Sequence, residues 1–207
     1  MIELTRDYRN MHLKIPEKIL QGSDSYFHEI IGKIKRRYSI ASSFYKQAEY
    51  INEKANELKH YSEKQIKECL TTASQAFRRN RITEKTLCES LAAIAEAADR
   101  TLGLRPYIVQ IMGALAINKG YLIEVATGEG KSLVGCMAGV LAGWTGRPCH
   151  IVTVNDYLSA RDAEKLNPFY NFCGVSVSCV TGQMSPDERK INYAKNIVYT
   201  TSKELTA

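Results

Sequence analysis

The feature that most restricts the fold of this chain is a short glycine-rich turn past its midpoint. Residues 126–132 read Ala-Thr-Gly-Glu-Gly-Lys-Ser. The apolar run at 121–125 predicts a buried strand before the turn, and the run at 133–138 predicts a helix after it. A strand, a glycine-containing turn and a helix that begins at Gly-Lys-Ser are typical of a loop that binds the phosphate groups of a nucleotide.

The residue types in this turn suit a polyphosphate. Gly128 and Gly130 have no Cβ, so the backbone can turn tightly and approach an anion closely. The turn points several N–H groups inward, and the start of the helix adds a partial positive charge. We expect the Lys131 ammonium to reach the β- and γ-phosphates and the Ser132 hydroxyl to hold Mg²⁺. The common motif has a glycine where this chain has Val125, and the alternative is a turn that only connects a strand to a helix.

The sequence pattern changes at about residue 104. Before that point apolar residues recur at helical spacing, which predicts helices at about 24–37, 42–60, from Ser62 onward and from about Thr83 to Gly103. After it, strands are predicted at 121–125, 149–154, 175–180 and 196–200, and helices at 106–118, 131–145, 156–171 and 186–194. Alternation of this kind indicates an α/β fold with a mainly parallel sheet, here preceded by an all-α N-terminal region.

Composition and cysteine spacing exclude several classes of protein. The chain has 207 residues, 44% of them hydrophobic, which is enough for a sizeable core. None of its apolar runs approaches the roughly 20 residues that cross a bilayer, and its charged start is unlike a signal peptide. Six scattered cysteines form no Cys-x-x-Cys pair, so we expect no zinc site and a reduced, cytoplasmic protein.

The formal net charge is +6, a mild excess that is slightly N-terminal and includes two small basic clusters. Those at 33–37 and 78–81 could bind an anionic membrane surface, a nucleic acid or an acidic partner. They are also typical of solvated helix ends, where cations favour the helix C-terminus. We expect no nucleic-acid partner, because the sequence has no basic stripe interleaved with aromatic residues.

An ATPase also needs an acidic residue at the end of a later strand to position Mg²⁺ and water. Downstream of Lys131 the sequence has no apolar strand that ends in Asp-Glu, and Asp162 and Asp187 fall in predicted helices. We therefore expect no catalytic residue within this chain and negligible turnover by the chain alone. The sequence is interpreted as the first piece of a longer motor, in which unpaired sheet edges could favour self-association.

Four sequence blocks resemble the SecA family, the ATPase motor of bacterial preprotein translocation. They are Arg-Pro-Tyr-Ile-Val-Gln at 105–110, the turn at 127–132, Val-Thr-Val-Asn-Asp-Tyr-Leu-Ser-Ala-Arg-Asp at 152–162, and Tyr-Thr-Thr-Ser-Lys-Glu at 199–204. The Asn-Asp-Tyr-Leu segment is the most specific of these. A weaker likeness extends back to about Tyr61, so the resemblance covers about two-thirds of the chain.

This resemblance implies the first part of a RecA-like lobe that binds ATP and Mg²⁺. It assigns adenine recognition to Gln110, whose amide offers one donor and one acceptor. It assigns phosphate and nucleotide contacts to seven residues, Arg105, Thr127, Gly128, Glu129, Gly130, Lys131 and Ser132, with Ser132 also contacting Mg²⁺ and Glu129 acting through its backbone. Ala126 departs from the family, which usually has arginine at that position.

The resemblance also predicts domains and partners. Residues 1–60 would be a helical extension of unknown role, 61–104 a helical lead-in packed on the motor lobe, and 105–207 the first part of the nucleotide-binding domain. The implied partners are a preprotein, a membrane channel and the remainder of the motor, which is cytoplasmic and peripherally membrane-associated. Two alternatives stay open, a lobe of a superfamily-2 nucleic-acid helicase and a non-enzymatic helical interaction module.

Overall fold

The computed structural model describes residues 40–206, so the predicted helix at about 24–37 lies outside the described residues. The described chain begins with three long helices, α1 (Ile40–Leu58), α2 (Glu63–Arg78) and α3 (Glu84–Leu102). The sequence predicts each of them.

Helices α2 and α3 begin where the sequence predicts. The Ser62 N–H donates to the side-chain oxygen of Gln65 at 2.8 Å, and the Ser62 hydroxyl accepts from the Gln65 N–H at 3.4 Å. These reciprocal bonds satisfy two N–H groups that have no partner inside α2. The Thr83 hydroxyl accepts from the Thr86 N–H at 3.1 Å at the start of α3. Gly103, with a φ of 64°, ends α3 in the left-handed conformation.

Helix α3 is the central element of the helical half. From 87 to 98, every residue except Glu89 is buried. Helix α2 packs against it with one apolar face, whose members recur at helical spacing: Ile66, Leu70, Ala73 and Phe77. The small alanines of α3 allow close packing on several sides, which explains why this helix is buried almost all round.

Helices and strands alternate in the second half. Among the described residues the sheet has three parallel strands, with β3 in the middle: β1 (Cys149–Thr153), β2 (Val177–Cys179) and β3 (Ile197–Thr201). The helices of this half are α4 (Ile108–Asn118), α5 (Lys131–Gly143), α6 (Asp156–Phe172), α7 (Pro186–Tyr193) and α8 (Ser202–Thr206). In register, Ile197 lies opposite Cys149 on one side and Val177 on the other. The predicted parallel α/β fold after an all-helical region is confirmed.

The predicted strand at 121–125 is wrong, because these residues have no regular secondary structure. A strand is held by hydrogen bonds to a neighbouring strand, and within residues 40–206 none of the three paired strands pairs with this segment. Leu122 is fully exposed. Apolar character marks the segment in the sequence, but pairing decides whether it becomes a strand.

Trp144 follows α5 and joins the two halves of the fold. Its indole N–H donates to the Cys173 carbonyl at 2.9 Å, and its ring meets Phe77 edge-on with 5.6 Å between ring centroids. Trp144 is buried and acts as a packing anchor between α2 and the segment after α6. Across the described part of the chain, every helix is too short or too polar to cross a bilayer.

Candidate nucleotide-binding site

The turn before α5 is tight and contains two glycines in the left-handed conformation. The Glu129 N–H donates to the Ala126 carbonyl at 3.2 Å and closes the turn. Gly128 and Gly130 have φ values of 90° and 82°. Residues that carry a Cβ rarely adopt this left-handed backbone region. The backbone conformation therefore requires glycine at both positions.

Helix α5 presents an open N-terminus next to this turn. The Gly130 carbonyl accepts from the Leu133 N–H at 2.9 Å and from the Val134 N–H at 3.1 Å. Lys131 and Ser132 come before the first of these bonds, and both residues are exposed. N–H groups at a helix start lack partners inside the helix and attract anions together with the helix dipole.

The Lys131 ammonium lies back across the turn. Its Nζ donates to the Val125 carbonyl at 2.7 Å, so the positive charge is held inside the loop. A phosphate oxygen is a stronger acceptor for an ammonium group than a neutral carbonyl. An anion in the turn can therefore replace the carbonyl as the partner of Lys131.

Gln110 connects α4 to the turn. Its side-chain oxygen accepts from the Tyr107 N–H at 3.0 Å, and its Nε2 donates to the Glu129 carbonyl at 3.0 Å. The side chain is buried, and a Cβ added to Gly130 would collide with it. The residue predicted to read adenine thus also holds the backbone of the glycine turn.

Arg105 lies in an ion-pair network with α3. Its guanidinium donates to Glu96 at 2.7 Å, to Asp99 at 3.1 Å and to the side-chain oxygen of Asn56 at 3.0 Å. The Glu96 carboxylate is almost fully buried and also pairs with Arg100 at 2.8 Å. A direct contact between Arg105 and a nucleotide would require release of some of these bonds.

Comparison with known proteins decides the family of this chain. Residues 27–207 match the family model of the SecA DEAD-like domain. The chain belongs to the SecA family. The resemblance inferred from the four sequence blocks is confirmed, and the helicase-lobe alternative is not favoured.

Relatives of this SecA-family chain are much longer than the chain. The protein translocase subunit SecA 2 of Chlorobium chlorochromatii is 44% identical over 204 residues, which cover 98% of this chain and 31% of the relative. SecA 2 of Magnetococcus marinus is 40% identical over 196 residues, with coverage of 94% and 30%. SecA of Microcystis aeruginosa is 40% identical over 173 residues, with coverage of 84% and 18%. The chain spans less than a third of the length of these relatives.

Two aspartates downstream of Lys131 in this SecA chain, Asp162 and Asp187, lie in helices. Asp162 belongs to α6, where it pairs with Arg161 at 2.6 Å, and Asp187 belongs to α7. In the part of the chain that the structure describes, no three His, Cys, Asp or Glu side chains are grouped to hold a metal ion. The exposed side chains of Ser132 and Thr127 stay predicted contacts of Mg²⁺ and nucleotide.

Sequence reasoning missed Tyr107, which precedes α4 in this SecA chain. Its ring is 74% exposed, while its N–H is fixed by Gln110. A flat aromatic surface beside a glutamine amide suits a nucleobase, because every base has a π-face. The signal in the sequence is an aromatic residue three positions before the glutamine.

A second missed feature ties together the loops that follow the strands. Glu204, in α8, is buried and forms an ion pair with Arg189 of α7. The Tyr193 hydroxyl donates to the Glu204 carbonyl at 3.2 Å. The Asp156 carboxylate accepts from the Gly182 N–H at 2.8 Å. These contacts join residues that lie far apart in sequence, so local patterns do not reveal them.

Proposed function

We propose that this chain is the ATP-binding part of a SecA motor that couples ATP hydrolysis to the movement of preproteins across a membrane. The observation that carries the proposal is the left-handed turn at Gly128 and Gly130 in front of the exposed start of α5. This geometry, in a chain of the SecA family, favours a nucleotide polyphosphate over other anions.

The phosphates would be held by the backbone N–H groups of the turn and of Lys131 and Ser132. The Lys131 ammonium would leave the Val125 carbonyl and neutralise the β- and γ-phosphates, and the Ser132 hydroxyl would contact Mg²⁺. Mg²⁺, when bound, supplies positive charge between the phosphate oxygens. Thr127 and Glu129 would line the turn, with Glu129 acting through its backbone.

The base would lie near Tyr107 and Gln110. The exposed Tyr107 ring offers a stacking surface, and the Gln110 amide offers a donor and an acceptor to adenine. Arg105 stays a candidate nucleotide contact, and its present partners on α3 make an indirect role through the 105–110 segment the simpler proposal.

Hydrolysis would need an acidic group from elsewhere in the motor. Asp162 and Asp187 lie in helices, so we propose that the chain alone binds ATP without turnover. The whole motor would act on the cytoplasmic side of the membrane, with a preprotein and a membrane channel as partners. The basic residues at 78–81 are candidates for contact with anionic lipid.

The proposal is tested by titrating a fluorescent, non-hydrolysable ATP analogue with Mg²⁺ into the full chain. Lys131→Ala should weaken binding by roughly a hundredfold, because the phosphates lose a charge-assisted bond. Lys165→Ala, which removes an exposed lysine of α6, is the matched control and should bind like the wild type. Equal affinity in the Lys131→Ala variant and the wild type would remove the assignment of the turn.

A further inference from the structure

A groove of about 760 Å³ lies where α1, α2 and α3 meet in the helical half. Its floor consists of small residues of α2 and α3. Ala73, Ala92 and Ala93 are almost completely buried there, and Cys69 is half-buried. Because these side chains are short, the groove reaches nearly to the backbones of α2 and α3. Another helix could therefore approach those backbones closely.

The rim of the groove is acidic. Glu57, Glu68 and Glu89 lie around it, and Lys54 is the one cation among its described lining residues. Lys54 is already paired with Glu57 at 2.8 Å. Lys85, the neighbour of Glu89, lies 3.8 Å from its carboxylate and outside the groove. The groove therefore carries a local negative charge in a chain whose net charge is +6.

The walls of the groove determine what kind of segment fits. All three walls are helices, so the groove offers no strand edge to which an extended peptide could add. A segment docked on the apolar floor must satisfy its own backbone hydrogen bonds, as a helix does. The α2 wall runs from Gln65 to Ala76, a length of about 16 Å or three helical turns.

We infer that this groove binds a cationic amphipathic helix of a partner protein. The apolar face of that helix would lie on the alanine floor, and its lysine or arginine side chains would reach Glu68 and Glu89. The completed arrangement would be a four-helix bundle, in which the fourth helix comes from the partner. This site is separate from the glycine turn and does not depend on bound nucleotide.

The inference is tested with the full chain and a synthetic peptide of leucine, alanine and lysine, about 18 residues long and amphipathic as a helix. Fluorescence anisotropy should detect binding that weakens as salt shortens the Debye length from about 10 Å to about 3 Å. The double variant Glu68→Lys, Glu89→Lys should bind roughly tenfold more weakly. Glu53→Lys, which reverses an exposed charge of α1 outside the groove, should bind like the wild type.

Thiol protection locates the peptide independently of charge. Bound peptide should slow alkylation of Cys69, which lines the groove, and leave alkylation of the half-buried Cys179 of β2 unchanged. Thr72→Trp, at an exposed position of the wall, should block both binding and protection. Unchanged affinity in the charge-reversed double variant would overturn the inference. So would failure to protect Cys69, or a dimer of this chain that protects Cys69 without peptide.

Discussion

At the scale of single residues, the candidate nucleotide site is organised around one buried amide, that of Gln110. Gln110 bonds the Tyr107 N–H with its oxygen and the Glu129 carbonyl with its nitrogen, both at 3.0 Å. Gly130 lies directly against this amide. Glycine is therefore required at position 130 for two reasons, its left-handed backbone and the space that Gln110 occupies.

We predict that Gly130→Ala impairs the site more than Gly128→Ala. In both variants the alanine must adopt a left-handed backbone conformation, which costs about 1–2 kcal/mol and should lower the free energy of unfolding measured in urea. Only the alanine at 130 also displaces the Gln110 amide from the Glu129 carbonyl, since a Cβ at 128 meets open space. Titration with the ATP analogue should therefore show the larger loss for Gly130→Ala, and equal losses would contradict this.

The buried thiol of Cys136 predicts a pH dependence of stability. Burial raises its pKa to about 12, from an ordinary value of 9.0. Between these values the unfolded chain has lost this proton while the folded chain keeps it, so folding is favoured less as pH rises. The free energy of unfolding should fall by about 1.4 kcal/mol per pH unit from this group.

The matched measurement is the same pH series on Cys136→Ala. The free energy of unfolding of this variant starts lower, because the substitution leaves a small cavity. Above pH 9 it should fall less steeply with pH, by about 1.4 kcal/mol per pH unit, because one ionising group is missing. Parallel slopes in the two proteins would show that the thiol ionises normally in the folded state.

At the scale of elements, two arginines fasten α3 to its surroundings. Arg100 donates to the backbone carbonyls of Leu58 and Tyr61, at 3.2 Å and 2.8 Å, and so closes the connection between α1 and α2. Arg105 ties the segment that leads to α4 back to α3. Glu96 pairs with both arginines and is therefore the centre of this junction.

We predict that Glu96→Ala lowers the free energy of unfolding by about 3 kcal/mol, because it leaves two half-buried guanidinium groups without their shared carboxylate. Asp99→Ala is the control, since Asp99 is 35% exposed against 4% for Glu96. Its loss should be below about 1 kcal/mol. Chemical denaturation measures the free energy of unfolding of both variants. Similar decreases in the two would show that burial of the carboxylate does not matter.

The elements that the sequence predicts correctly are those with local signals. Ser62 and Gln65 mark the start of α2 within one turn, and Ser185, Pro186 and Glu188 mark α7 in the same way. The segment at 121–125 could not be predicted, because a strand depends on a partner that a local pattern does not contain. The glycine turn could be predicted from its own residues. The hydrogen bond from Gln110 to Glu129 that holds this turn could not, because it joins residues 19 positions apart.

At the scale of the whole molecule, the sheet has one apolar edge. Strand β1 pairs with β3 on one side, and its other side has no partner strand within residues 40–206. Val152 of β1 and Val154, which follows the strand, are 50% and 90% exposed beside this edge. An open edge with apolar side chains favours pairing with another chain.

We predict that the chain self-associates through this edge. Val152→Lys should shift sedimentation velocity profiles toward monomer, because a charged edge strand resists pairing. Tyr45→Lys places the same charge on α1, at a residue that is 43% exposed, and should leave the profile unchanged. A monomeric wild type at every concentration would contradict the prediction.

The bond from Gln110 to Glu129 has a consequence for how a nucleotide enters. The two N–H hydrogens of one planar amide point in fixed directions. In the proposed site, a purine that draws the Gln110 amide toward itself would therefore loosen the turn at 126–130. Tripolyphosphate, which has no base, would leave the Gln110 amide in place. In the proposed site, recognition of the base would therefore alter the mobility of the turn that holds the phosphates.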